Sequence, residues 1–246
     1  MPKELRLVAL LLAVALVAWL ATLAFGAIGY SRIHALDERI LLSLRRPDDP
    51  SVPLGPSWLL PAAREFTALG SSTVLLTLIL AVGGYLLLER RYGILALLLV
   101  STFGGMAISS YLKIFFGRPR PSVVPHLAPV SSPSFPSGHS LVSAVVYMTL
   151  GVLLTRVTTD RRAKKYFVVL AATITFLIGL TRMYVGVHYP TDVLAGWAIG
   201  LLWALACGAI ARELQRRRVI RPEPVAAAAD DAQQRGDSRR DDQRVA

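Results

Sequence analysis

Six apolar stretches constrain what this chain can fold into. We place them at Leu7–Ile28, Thr73–Leu88, Gly93–Leu112, Ser140–Val157, Tyr166–Val187 and Val193–Ala211. Most approach the roughly 20 residues that a helix needs to cross a bilayer. Hydrophobic residues make up 54% of the chain and charged residues only 17%, which is more apolar side chain than a soluble protein can bury. The sequence therefore predicts an all-α polytopic membrane protein with six transmembrane helices.

The first stretch has two interpretations. Lys3 and Arg6 before an apolar run also resemble a signal peptide. The run is longer than a normal signal core and lacks a clear cleavage site of small residues, so we interpret it as a membrane anchor. The single cysteine, Cys207, excludes an internal disulfide and a cysteine metal cluster, and we interpret it as a packing residue.

Basic residues beside the spans predict the orientation. Lys and Arg concentrate before the fifth span, at 161–165, and after the sixth, at 212–221. We expect a multi-pass protein of the cell (inner) membrane. Because cytoplasmic loops collect Lys and Arg, both termini should lie in the cytoplasm, and the loops after spans one, three and five should lie on the extracytoplasmic side. The net charge of +11 then fits a membrane surface, and we expect no nucleic-acid partner.

The first outer loop contains a further amphipathic segment. Ile33, Leu36, Ile40 and Leu44 recur at helical spacing, which predicts an interfacial helix that ends at Pro47. The prolines that follow predict a mostly irregular stretch. The end of the chain is polar and aperiodic, so we predict a membrane domain over 1–218 and a disordered, charged cytoplasmic tail over 219–246.

Side chains suited to catalysis cluster where spans end on the predicted outer face. The segment 113–121 follows the third span, 136–139 opens the fourth, and 181–192 joins the fifth to the sixth. Each cation or histidine alone is more often an anchor or a structural residue. Their shared location on the less basic face favours a functional site formed by Lys113, Arg120, Arg182, His139, His188 and Asp192.

This inventory suits phosphoryl transfer. Lys113, Arg120 and Arg182 can balance the negative charge of a phosphate in the transition state, and Arg118 adds a fourth cation nearby. Gly138, at the start of a helix, lets a phosphate approach backbone N–H groups. The Ser137 side chain either caps that helix or donates to phosphate, and the sequence does not separate the two.

The two histidines fit different roles in such a reaction. His188 and Asp192 lie four residues apart, so the carboxylate can hold one imidazole nitrogen and leave the other free as a nucleophile. His139 can protonate the leaving oxygen and then activate water. The remaining histidines, His34 and His126, have no such neighbours in sequence, and we interpret them as ordinary loop residues.

These blocks resemble the type 2 phosphatidic acid phosphatase superfamily. Its pattern is a lysine, six residues and Arg-Pro; then Pro-Ser-Gly-His; then Ser-Arg, five residues, His, three residues and Asp. This chain matches every spacing and departs only at Thr181, which keeps the hydroxyl of the usual serine. The stretch from Arg64 to Ser71 also resembles bacterial members that act on undecaprenyl diphosphate or phosphatidylglycerol phosphate.

The resemblance implies a role for each matched residue. His188 is expected to be the nucleophile, Asp192 its partner and His139 the acid and base. Phosphate binding is expected from Lys113, Arg120, Ser137, Gly138 and Arg182. Neither a metal nor another cofactor is implied.

The expected activity is removal of a terminal phosphate from a lipid in the outer leaflet. We rank undecaprenyl diphosphate first, then phosphatidylglycerol phosphate or phosphatidic acid. A lipid phosphotransferase would use the same site, and a lipid binder or transporter is disfavoured because both histidines are present. Vanadium haloperoxidases share the pocket but are soluble. The sequence does not indicate an oligomeric state.

Overall fold

The computed structural model describes residues 30–216. The first predicted span and the predicted cytoplasmic tail lie outside these residues, so both remain predictions. Within 30–216 the chain is all helical and has no β-strand, only an isolated bridge between Arg45 and Pro53. The seven helices are α1 (Tyr30–Ser43), α2 (Leu59–Ala68), α3 (Ser72–Leu88), α4 (Tyr92–Phe116), α5 (Gly138–Leu154), α6 (Arg161–Tyr184) and α7 (Pro190–Arg216).

Three of these helices, α4, α6 and α7, are long and apolar enough to cross a membrane. A fourth span is possible if α2 and α3, which meet at 45°, act as one bent span. Helix α5 is apolar but has only 17 residues. Large apolar side chains stay exposed on the outside of the bundle, such as Leu80, Leu88 and Ile114, which is expected of lipid-facing surface. Residues 30–216 thus have the character of a membrane protein. The count of six spans remains a prediction.

The first outer loop differs in part from its prediction. Helix α1 covers most of the predicted interfacial helix and ends before Pro47. The stretch after it was predicted to be mostly irregular, but it contains α2. Pro61 is compatible with α2 because it is the third helical residue, where a backbone N–H has no partner within the helix in any case. The position of Pro61 in the first turn, and not the number of prolines in the loop, explains why this segment is helical.

Helix α5 lies at the centre of the bundle and packs against α4, α6 and α7. Glycines on α7 permit the close approach of α5 and α7. A Cβ added at Gly196 would lie only 2.7 Å from the Ser137 carbonyl oxygen, and one at Gly200 would strike the Leu141 carbonyl. Small residues four apart are a common means of bringing membrane helices together. This contact places the start of α5 beside the start of α7.

Side-chain caps fix where several helices begin. The Ser137 Oγ accepts from the Ser140 N–H at the start of α5, and the Asp160 carboxylate accepts from the Arg162 and Ala163 N–H groups at the start of α6. Each cap satisfies N–H groups that have no partner within the helix. Chain direction then brings the C-terminal ends of α4 and α6 to the same end of the bundle as the N-terminal ends of α5 and α7.

Candidate active site

A cavity of about 470 Å³ opens at this end of the bundle. Its walls come from α3, α4, α5, α6 and the loops on either side of them. They include five of the predicted site residues with long side chains: Lys113, Arg120, His139, Arg182 and His188. Gly138 lines the cavity as well, and so do the serines at 72, 109, 110, 131 and 132. The structure therefore gathers most of the predicted site around one space.

His188 lies on the short loop between α6 and α7 and is 2% exposed. Its Nδ1 faces the Asp192 carboxylate, 3.5 Å from Oδ2. Its Nε2 lies 3.4 Å from Nη1 of Arg120. A guanidinium can only donate, so Nε2 is the unprotonated nitrogen and the ring proton is on Nδ1. The unprotonated nitrogen is thus the one beside Arg120, a residue that lines the cavity.

Burial keeps the His188 ring neutral. Loss of solvation lowers the pKa of His188 to about 3, Asp192 opposes this shift, and Arg182 and Arg120 add to it. Burial disfavours the charged imidazolium, so the His188 ring is neutral at neutral pH. A neutral ring with a free Nε2 is the form that can attack phosphorus.

The Asp192 carboxylate is held by several donors. Oδ2 accepts from the Ser134 hydroxyl and from the Tyr189 N–H at 2.9 Å. Oδ1 accepts from Nη1 of Arg118 at 2.7 Å. Asp192 is fully buried, so these bonds replace the solvation that the charge has lost. The same Ser134 hydroxyl lies 3.4 Å from Nδ1 of His188, so the three side chains form one cluster.

Two of the cations predicted to bind phosphate are held by the loop before α5. Lys113 donates to the Pro133 carbonyl, and Arg120 donates from Nε to the Ser132 carbonyl at 2.7 Å. Arg120 also donates from Nη1 to the Val187 carbonyl at 2.7 Å, directly beside His188. Loss of solvation lowers the pKa of Arg120. A group with so high an ordinary pKa remains charged at neutral pH.

The third cation, Arg182, reaches the cavity from the end of α6. It is 5% exposed, and its Nη1 donates to the Thr67 hydroxyl on α2 at 3.1 Å. Gly70, also in the stretch between Arg64 and Ser71, lies against the His139 ring, because a Cβ added there would come within 3.2 Å of His139 Cδ2. The stretch whose sequence resembles bacterial phosphatases thus supports two residues of the cavity.

At the start of α5 the structure assigns Ser137 to the capping alternative. Its hydroxyl accepts from the Ser140 N–H and hydroxyl, at 3.4 and 3.0 Å, and its own N–H donates to the Asp192 carbonyl. The side chain is fully buried and does not line the cavity. Gly138 does line it, beside Lys113, since a Cβ there would lie 3.5 Å from Lys113 Cε.

Arg118 was expected to add a cation near the phosphate, and the structure places it elsewhere. It is 7% exposed, and its guanidinium joins the carboxylates of Asp37 and Asp192 at 2.8 and 2.7 Å. It does not line the cavity. Two buried acids compete for this guanidinium more effectively than a surface phosphate, because they have no water to solvate them.

Sequence reasoning missed three residues that support the site. Ser134 lies two residues before the Pro-Ser-Gly-His block, and its position next to that block was the available signal. Thr67 lies in a stretch that had been noticed for its resemblance alone. Asp37 is an acid inside an amphipathic helix, where an acid is usually solvated, and no local pattern connects it with Asp192.

Titratable side chains in residues 30–216 form no group of three or more His, Cys, Asp or Glu that would hold a metal ion. The Asp192 carboxylate already accepts hydrogen bonds from Arg118, Ser134 and Tyr189. The positive charge around the cavity comes instead from Lys113, Arg120 and Arg182.

Comparison with known proteins identifies relatives of this chain. The sequence profile of the PAP2 superfamily matches residues 94–216, which is half of the chain. Phosphatidylglycerophosphatase B of Bacillus subtilis (strain 168) is 38% identical over 148 residues, covering 59% of this chain and 71% of the relative. The undecaprenyl-diphosphatase of Sulfolobus acidocaldarius is 40% identical over 67 residues, 27% of this chain and 28% of the relative.

A solved structure extends the likeness to the fold. The crystal structure of a transmembrane PAP2 type phosphatidylglycerolphosphate phosphatase from Bacillus subtilis superposes with a TM-score of 0.69 at 30% sequence identity, covering 85% of this chain and 98% of that one. The resemblance seen in the three sequence blocks is confirmed. The chain belongs to the PAP2 superfamily and is a membrane hydrolase of phosphate esters.

Proposed function

We propose that this protein removes the terminal phosphate from a lipid headgroup by way of a phosphohistidine at His188. One observation supports this above all: Nε2 of His188 lies beside Arg120, which lines the cavity together with Lys113 and Arg182, while Nδ1 faces a buried carboxylate. This arrangement supports the assignment of a nucleophile, an orienting group and charge-balancing groups to one site.

In the first step Nε2 of His188 attacks phosphorus and the bond from phosphorus to the lipid oxygen breaks. His139 donates a proton to that oxygen, so the lipid leaves as an alcohol or a lower phosphate. Burial, and after it Arg182, lowers the pKa of His139 to about 3, and the negative charge of a bound phosphate opposes this shift. Lys113, Arg120 and Arg182 balance the charge that develops on the nonbridging oxygens. Asp192 stabilises the positive charge on the phosphorylated ring.

In the second step His139 takes a proton from water, and the water oxygen attacks phosphorus. The phosphorus–nitrogen bond breaks, inorganic phosphate leaves, and His188 returns to its neutral form. His139 regains its proton in this step, so no other acid or base is consumed. The α5 N-terminus at Gly138, which Ser137 caps, contributes the positive end of its dipole.

We propose phosphatidylglycerol phosphate and undecaprenyl diphosphate as the leading substrates. The sequence ranked undecaprenyl diphosphate first. The relatives favour phosphatidylglycerol phosphate, because the likeness to phosphatidylglycerophosphatase B spans far more of both chains than the likeness to undecaprenyl-diphosphatase. The predicted orientation places the cavity at the outer leaflet, where the phosphate enters while the apolar tail stays in lipid.

The decisive experiment measures phosphate release by purified protein from a panel of lipid mono- and diphosphates. We expect His188→Ala to abolish turnover, and we expect parent enzyme quenched during turnover with labelled substrate to carry acid-labile phosphate on His188. His126→Ala is the matched control, because His126 is exposed and its ring hydrogen-bonds to the Pro121 carbonyl. Substantial turnover by His188→Ala would overturn the mechanism.

The same panel ranks the substrates. A kcat/KM for phosphatidylglycerol phosphate about tenfold above that for undecaprenyl diphosphate corresponds to about 1.4 kcal/mol of transition-state preference. The reverse ratio would restore the order that the sequence predicted and leave the chemistry unchanged.

A further inference from the structure

A buried chain of charges connects the first outer loop with the catalytic carboxylate. Asp37 on α1 is 1% exposed and accepts from Nη2 of Arg118 at 2.8 Å. Nη1 of the same guanidinium donates to Asp192 at 2.7 Å and to the Thr191 hydroxyl at 2.8 Å. Asp37 also accepts from the N–H of Thr191 at 3.0 Å. The chain runs from Asp37 through Arg118 and Asp192 to His188.

The charges in this cluster indicate a role for Asp37. A single guanidinium beside a single carboxylate would neutralise Asp192 and weaken its attraction for the proton on Nδ1 of His188. With Asp37 present, one positive charge is shared between two negative charges. The cluster then keeps a net negative charge next to the ring that must become positive when it is phosphorylated.

The geometry adds a second constraint. The planar fork of Arg118 presents its two terminal nitrogens to two different acids, so the orientation of the Asp192 carboxylate is fixed relative to α1. The Tyr189 ring lies 4.2 Å from the guanidinium carbon and covers it. Oδ2 of Asp192 is thereby left directed toward His188 and Ser134.

We propose that Asp37 and Arg118 are positioning residues of the reaction, which keep Asp192 oriented and sufficiently negative to hold His188 in its nucleophilic tautomer. This inference rests on the proposed role of His188. Neither residue lines the cavity, so both act through Asp192.

The test uses two conservative variants of the full-length protein. Asp37→Asn keeps the shape and removes one charge, whereas Arg118→Lys keeps the charge and removes the fork. Asp48→Asn and Arg39→Lys are controls with the same substitutions, because Asp48 and Arg39 are exposed residues of the first outer loop, which also contains Asp37. Each protein is assayed for kcat, KM, inhibition by inorganic phosphate and thermal unfolding.

We expect each positioning variant to lower kcat by about tenfold or more while KM and the phosphate inhibition constant stay within about threefold. Lys113, Arg120 and Arg182 are unchanged, so phosphate binding should persist. The double variant should be no slower than the slower single one, because both changes break the same link. The controls should match the parent.

Two results would overturn the inference. Unchanged kcat in both variants would show that the link has no catalytic effect. A loss of kcat accompanied by equal losses in phosphate binding and thermal stability would show a structural role only.

Histidine-selective ¹⁵N NMR separates this inference from the proposed function. The parent should show His188 protonated at Nδ1, and Asp37→Asn should populate the Nε2-protonated tautomer as well. If the parent releases no phosphate from any lipid, the proposed function fails, yet the tautomer shift still tests the link. An identical His188 tautomer in parent and variant would contradict it.

Discussion

The hydroxyl of Thr67 on α2 accepts a hydrogen bond from Nη1 of Arg182 on α6 at 3.1 Å, although the two residues are 115 positions apart. This bond orients a buried cation of the cavity. A residue outside the three sequence blocks thus helps to orient a cation that we propose binds phosphate.

Thr67→Val should therefore weaken phosphate binding more than it slows chemistry. The change keeps the shape and removes the acceptor, so Arg182 gains freedom and KM should rise by about three- to tenfold. Thr77→Val is the control, because the exposed Thr77 bonds only to its own helix. A KM equal to that of the parent would show that Arg182 is oriented without Thr67.

Ser134→Ala should lower kcat by about tenfold, the cost of a hydrogen bond to a charged group. The hydroxyl donates to Oδ2 of Asp192, the oxygen that faces His188. Steady-state assays of the variant beside Ser43→Ala, an exposed serine bonded within α1, provide the comparison. Equal rates for Ser134→Ala and the parent would remove Ser134 from the catalytic cluster.

Stability should fall as the pH falls from about 7 toward 4, in part because of His188. Its pKa is about 3 in the folded protein, below its ordinary value of 6.5, so the unfolded state binds the proton more readily between these values. His188→Gln should lose less thermal stability than the parent between pH 7 and pH 4. Parallel losses in the two proteins would show that the buried ring does not contribute.

Turnover should persist in excess EDTA, because Lys113, Arg120 and Arg182 supply the charge that a metal would otherwise provide. Orthovanadate should inhibit by adopting a five-coordinate geometry like that of the transition state. Phosphate release is measured with and without each reagent. Complete loss on chelation, restored by magnesium, would contradict a metal-independent reaction.

Reporter fusions test the orientation. A reporter after Pro125 should be exposed outside the cytoplasm, and reporters after Arg161 or Arg217 should be inside, because basic residues favour the cytoplasmic side. Protease accessibility in intact cells distinguishes the two sides. The opposite pattern would move the cavity to the inner leaflet.

The sequence predicted the helices and most of the cavity because both depend on local patterns. Apolar runs placed α3 to α7 to within a few residues, and the three blocks gave the residues that meet in space. It did not predict α2, where the position of Pro61 within the first turn mattered more than its presence. It also misplaced Arg118, because nothing in a linear pattern shows that Asp37 competes for it.

The first turn of α7 carries Asp192, yet its Thr191 N–H is satisfied by Asp37 from 154 residues earlier in the chain. The family profile begins only at residue 94. Asp37 lies before the residues that the profile matches, so the start of α7 depends on a residue that the profile does not cover. Positions 37, 118 and 191 are then expected to vary together during evolution. In a chimera that combines the outer loop of one relative with the helices of another, the cations of the cavity should remain. The carboxylate at the start of α7 should lose its fixed orientation.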